Sequence, residues 1–172
     1  MDGSIQVYYG NGRGKTTAAL GLGIRAAGVG KQVIMVQFLK KKHSDTLDYL
    51  KKLEPELQIF RFEKAACGYS DLNPKEKQEQ MLNIKNALGY SRKVLDTGQC
   101  DLLILDEIFG LVDYNIITIE ELMDLIAVKK DSMDLILTGR NLPEEVREVA
   151  DCVYSIQREK EKTPEILAQG IS

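Results

Sequence analysis

Six apolar, β-branched runs recur along this chain, at residues 4–9, 32–38, 57–62, 102–105, 135–138 and 152–156, with segments of helical periodicity between them. A chain that alternates in this way closes most simply into a mainly parallel sheet with helices on both faces, an α/β fold. The helix starts agree with that division. Asn73-Pro74 followed by Glu76 supplies a capping side chain, a proline in the first turn and an acid near the positive helix end. Thr118-x-x-Glu121 has the spacing of a capping box, and "LPEEVREVA" after Asn141 opens with proline and two acids. With 172 residues and neither repeat nor linker, the expectation is a single domain over 1–172.

In open parallel sheets ligands bind beyond the carboxyl ends of the strands, so the residues just after each run carry the functional information. The first such place is "VYYGNGRGKTTAAL", residues 7–20, where a strand becomes a helix. Gly10, Gly12 and Gly14 let the backbone curl so that successive N–H groups point inward, and the helix start adds partial positive charge. Lys15 reaches phosphate oxygens as a point charge, and the Thr16 hydroxyl suits Mg²⁺. The expected nucleotide-binding set is Gly10, Asn11, Gly12, Arg13, Gly14, Lys15, Thr16 and Thr17. The spacing departs from the usual G-x-x-x-x-G-K-[ST], because Tyr9 stands where the first glycine belongs. Counted from Gly10, the loop is one residue short, consistent with a tighter cradle.

The second place is "DLLILDE", residues 101–107, a buried run ending in two acids. Asp106 and Glu107 can hold Mg²⁺, directly or through water, opposite Thr16. The third is "LILTGRN", residues 135–141, whose Arg140 can either stabilise phosphate charge or contact a second substrate. The connection 62–74, "FEKAACGYSDLNP", is either a substrate lid centred on Tyr69 or an ordinary surface loop. The lone His43, in the charge run "KKKHSD", is assigned no catalytic role.

Composition sets the outer limits. A net charge of −3 exerts no general pull on nucleic acid or anionic membrane, so anion binding must be local. Cys67, Cys100 and Cys152 are odd in number and lack C-x-x-C spacing, which argues against a disulfide framework and fits a reducing cytoplasm. The sequence has no apolar stretch long enough to span a bilayer.

Taken together, "GNGRGKTTAALGLGIRAAGVGKQVIMVQFLK", "DLLILDEI", "ITIEEL", "LILTGRNLPEEV" and a closing "AQGI" resemble the ATP:corrinoid adenosyltransferases of phosphate-loop type. That resemblance implies a P-loop NTPase fold with RecA-like architecture. It also implies a homodimer that moves the 5′-deoxyadenosyl group of ATP to Co(I) of a reduced corrinoid and releases triphosphate. Lys15 and Glu107 would be catalytic, with Mg²⁺ on Thr16, Asp106 and Glu107 and a reductase or flavoprotein as electron donor. The triphosphate would lie reversed relative to other phosphate-loop proteins, its γ end deepest, turning the ribose toward the corrinoid. Tyr69 and Arg140 would face the corrinoid. Relatives carry two aromatic residues in the loop after the third strand, and here Tyr69 keeps one while Asp71 replaces the other. A nucleotide-switch or ATPase module without adenosyl transfer is the alternative that the phosphate loop alone would also serve.

Overall fold

The computed structural model describes residues 2–40, 50–62 and 67–161. Their strands are β1 Ile5–Tyr9, β2 Val33–Gln37, β3 Leu57–Phe60, β4 Leu102–Asp106, β5 Asp134–Gly139 and β6 Cys152–Ser155. The helices are α1 Lys15–Gly28, α2 Pro74–Thr97, α3 Ile108–Asp113, α4 Ile119–Ala127 and α5 Glu144–Val149. All strand pairs are parallel and form one sheet of order β3-β2-β4-β5-β1-β6.

The strand ends differ from expectation by one or two residues. β3 stops at Phe60, whereas β4 runs on through Asp106 because that residue stays in register beside Gln37 of β2. The acid therefore belongs to the strand rather than to the turn after it.

Side chains alternate across the sheet as the two-residue period requires. Val7, Ile34, Val36, Leu103, Leu105, Leu135 and Leu137 point to one face, where Ile84, Ala87, Val94 and Leu95 of α2 and Leu122 and Ile126 of α4 cover them. Val33, Met35, Leu57, Leu102, Ile104 and Ile136 point to the other, against Ala19 of α1. Each fully buried leucine or isoleucine in these layers contributes roughly 1.5–3 kcal/mol.

The expected caps form. Asn73 accepts from the Glu76 amide and Thr118 from the Glu121 amide, and both glutamates reach back to the cap residue's own N–H. Helix α1 is different. Its cap is Gly14 in the left-handed region, with no capping side chain and no acid in the first turn, so its first amides remain available to an anion.

Strand order then fixes the site. The loop strand β1 and the acid strand β4 are not neighbours, because β5 lies between them. A side chain at the end of β5 can thus reach both.

Candidate functional site

The carboxyl edge of the sheet gathers Lys15 and Thr16 from the start of α1, Asp106 and Glu107 from the end of β4, and Thr138 from β5. Asp106 is completely buried. Its Oδ1 accepts from Thr16 Oγ1 at 2.9 Å and Thr138 Oγ1 at 2.7 Å. Its Oδ2 accepts from Thr16 at 3.0 Å and from Gln37 Nε2 at 3.1 Å, and the Lys40 ammonium lies 3.4 Å away. A buried carboxylate is tolerated when donors and an opposite charge surround it in this way.

Thr138 does two things at once. Its hydroxyl donates to Asp106 and accepts the Glu107 amide at 2.8 Å. Glu107 sits at φ 62 as the residue before α3, a left-handed conformation that aims its side chain away from the line of β4. Gly139, next in β5, has no room for a side chain, since a Cβ there would lie 2.4 Å from the Phe109 Cβ. Close packing of α3 on β5 therefore locks the turn that carries Glu107.

The loop itself is gripped from two sides. Gly10 donates its N–H to Arg140 O at 3.0 Å, and Gly12 donates to Ile156 O at 2.9 Å. Arg158 N donates to the Asn11 side chain at 3.1 Å. A Cβ on Gly10 would lie 2.3 Å from Ile156 O, and one on Gly12 would lie 2.8 Å from the same oxygen. These two glycines are required by the backbone of the β6 exit. The expectation that successive amides point inward does not hold at Gly10 and Gly12, whose N–H groups are committed to Arg140 O and Ile156 O, so the amides of Gly14 and Lys15 are the ones suited to phosphate.

Lys15 folds back over its own loop, donating to Gly10 O at 2.7 Å and Gly12 O at 2.9 Å. Burial holds its ammonium below the ordinary lysine range; Glu107 and Asp106 oppose that shift, while Arg140 and Lys40 add to it. Thr17 and Arg13 are exposed beside it.

Of the two residues expected at the corrinoid, Arg140 lies beside the loop, its carbonyl accepting from Gly10 and its charge acting on Lys15, whereas no contact joins Tyr69 to the Lys15–Asp106 cluster among the described residues. Tyr69 opens a 3₁₀ turn, Tyr69–Asp71, with its ring 5.4 Å from that of Tyr114 and the Lys77 ammonium 5.8 Å from its centroid. Arg140 is exposed and lines a cleft of about 680 Å³ together with Tyr9, Asn11, Asn141, Gln157 and Arg158. His43 and the closing "AQGI" lie outside the described residues.

Four participants were not singled out from the sequence: Gln37, Lys40, Arg61 and Thr138. Arg61 Nε donates to Gln37 Oε1 at 2.7 Å, which orients the Gln37 amide so that its nitrogen faces Asp106. A signal existed for two of them. Gln37 in "VIMVQF" and Thr138 in "LILTG" are polar residues near the ends of otherwise apolar buried strands. Lys40 had none, being one of three consecutive lysines.

The donor set is hard oxygen, a threonine hydroxyl and carboxylates, which suits Mg²⁺. Among the described residues no group of three or more His, Cys, Asp or Glu could hold a metal by itself. Among the same residues no helix is long and apolar enough to cross a membrane.

Comparison with known proteins follows the same line. The chain is similar in fold to a KaiC-like protein from Pyrococcus horikoshii, with a TM-score of 0.58 and 20% identity over 94% of this chain and 75% of that one. By sequence it is 30% identical to the corrinoid adenosyltransferase of Escherichia coli K12, and 30% identical to corrinoid adenosyltransferase CobA of Salmonella typhimurium. Each match spans 90% of this chain and 76% of the relative. The family described as ATP:corrinoid adenosyltransferase BtuR/CobO/CobP matches residues 1–171, phosphate loop and acid strand included. With an all-parallel six-strand α/β sheet, an uncapped helix behind a glycine loop, and that match across the whole fold, the chain belongs to the ATP:corrinoid adenosyltransferase family.

Proposed function

We propose that this chain transfers the 5′-deoxyadenosyl group of ATP to the cobalt of a reduced corrinoid. The bond that forms joins cobalt to the ribose C5′, using the electron pair of Co(I). The bond that breaks is C5′–O5′, and its electron pair leaves on O5′, now a terminal oxygen of inorganic triphosphate. The observation that carries this reading is the convergence of Lys15, Thr16, Asp106 and Glu107 at one sheet edge within a chain of this family.

Lys15 and the amides of Gly14 and Lys15 neutralise charge as the triphosphate departs; preorganised donors of this kind are worth about 10²–10³ in rate each. Asp106 holds the Thr16 hydroxyl in place, and Glu107 faces the same triphosphate. Thr16, with Asp106 and Glu107 behind it, is our candidate to hold Mg²⁺, which would supply charge neutralisation on the phosphate oxygens. The remaining loop residues, Gly10, Asn11, Gly12 and Thr17, shape the cradle.

With the triphosphate reversed so that its γ end lies deepest, the ribose faces the corrinoid. Tyr69 and Arg140 are the candidates to meet that acceptor. We further propose a single domain over 1–172, a homodimer working in the cytoplasm, and a flavoprotein or other reductase that delivers the electron for Co(I).

The test is a product assay. Incubation with Mg-ATP and chemically reduced cobalamin should yield a cobalt–carbon chromophore and inorganic triphosphate in equal amounts. ADP and phosphate released independently of corrinoid would replace this reading with that of an ATPase or switch module.

A further inference from the structure

We propose that Lys40 is a second triphosphate-binding lysine, a specificity-determining residue that meets the leaving group from the exit of β2, whereas Lys15 meets it from the phosphate loop. The inference rests on the triphosphate reading above and adds to it a residue and a direction of approach.

Lys40 lies three residues beyond the end of β2, at the same sheet edge as the phosphate loop. Its ammonium donates to Thr16 Oγ1 at 3.2 Å and lies 3.4 Å from Asp106 Oδ2. Thr16 is the second residue of α1, immediately after Lys15, so Lys40 touches the hydroxyl expected to serve the nucleotide while the Lys15 ammonium rests on the Gly10 and Gly12 carbonyls of the loop. The proximity is also electrostatic, since Lys40 is among the charges that push Lys15 down from the ordinary lysine range.

Asp106 does not depend on Lys40 for its hydrogen bonds. Thr16, Gln37 and Thr138 already donate to its two oxygens, and a carboxylate has room for about four such bonds. The Lys40 side chain is 28% exposed whereas that of Asp106 is fully buried, so the ammonium reaches inward from the ligand edge. A lysine is a compact point charge with three rotatable donors on a flexible stem. It can therefore turn from the Thr16–Asp106 pair to phosphate oxygens lying against Thr16 without any movement of the sheet.

The chemistry gives that cation a purpose. Cleavage of C5′–O5′ leaves the whole triphosphate on the enzyme, with one more negative charge than the phosphate chain of ATP carried. A γ-phosphoryl transfer never creates that species. A site that must hold an intact triphosphate gains from two lysines, one on the phosphate loop and one just beyond β2.

The test uses inorganic triphosphate with Mg²⁺ as the probe, titrated calorimetrically into the full chain well below its melting transition, with ligand-free unfolding measured alongside. K40M should weaken binding about 10- to 100-fold, the ordinary worth of a charge-assisted contact. K40R, which keeps the charge, should recover most of that affinity. The same ordering should appear in the KM for ATP. If K40M and K40R both bind Mg-triphosphate within about threefold of wild type, Lys40 is only a counter-ion to Asp106 and the inference is overturned, whatever happens to the melting temperature. If the wild-type chain does not bind Mg-triphosphate, the triphosphate reading itself fails and this inference with it.

Discussion

The Thr16 hydroxyl donates to both carboxylate oxygens of Asp106, at 2.9 and 3.0 Å, across 90 residues of sequence. That contact joins the first turn of α1 to the last residue of β4, two elements that the sheet order keeps a strand apart. It is possible because β5 between them carries, one residue before its end, a threonine that binds the same carboxylate instead of a bulky apolar side chain. The nucleotide-binding loop and the acidic strand thus form one unit through Thr138.

Removing the Thr138 hydroxyl should therefore loosen both acids. Thr138→Val leaves the part-buried Glu107 amide without its acceptor and takes one donor from the fully buried Asp106. The expected loss is about 1–3 kcal/mol in urea unfolding, the cost of stranding buried polar groups. Turnover with Mg-ATP and reduced corrinoid should fall as well, and Thr138→Ser should restore most of both. A valine variant as stable as wild type would show that Thr138 does not brace the site.

Two loop glycines should fail in different ways. A Cβ at Gly12 meets the Ile156 and Gln157 backbone at 2.8 Å, and backbone cannot give way as a flexible side chain does. Gly12→Ala should thus displace the β6 exit, raising amide hydrogen exchange at residues 156–158 and weakening ATP binding. Gly14 has φ +106 with nothing within 4 Å of its Cβ position. Gly14→Ala should cost only backbone strain, about 1–3 kcal/mol, and leave exchange at 156–158 unchanged. Equal exchange in the two variants would contradict the assignment of Gly12 to packing.

Much of this arrangement could be read from local pattern. The strands follow from apolar runs of the right length, and the boxes at Asn73 and Thr118 follow from spacing alone. Lys15, Thr16, Asp106 and Glu107 lie at strand ends, where an α/β sheet places its ligands. The four helpers were harder because their importance is set by strand order. Gln37 matters because β2 is in register with β4, and Thr138 because β5 separates β1 from β4. Neither adjacency is visible in a linear sequence. The hold of residues 156–158 on the loop is of the same kind. It depends on β6 pairing beside β1 and left no local trace beyond the missing residue between Tyr9 and Gly14.

Lys15→Ala should lower turnover by about 10²–10³, in line with the loss of one preorganised donor at developing charge. Its fold should persist, because the partners it leaves are the Gly10 and Gly12 carbonyls at the ligand edge. The wild-type pH profile carries a second expectation. Burial lowers the Lys15 pKa from 10.5, so the free enzyme should lose its ammonium, and with it ATP affinity, at a lower pH than an ordinary lysine would allow. Measuring ATP affinity against pH checks this, and an alkaline limb at or above the ordinary lysine value would contradict it.

Cys100 should be inert in the folded protein and should make the fold sensitive to alkali. It is 6% exposed, and burial pushes its thiol up from 9.0 to about 12. Cys152 is exposed, so iodoacetamide at mildly alkaline pH should label Cys152 and spare Cys100 until the chain unfolds, as peptide mapping would show. Between the unfolded value and the folded one, the native state keeps a proton that the unfolded state releases. Stability should then fall as pH rises from about 9 toward 12, by up to about 1.4 kcal/mol per pH unit from this group. Below that window the contribution is fully present. Cys100→Ala should flatten this part of the stability curve whatever its effect at neutral pH, and an unchanged alkaline slope would mean that another group sets it.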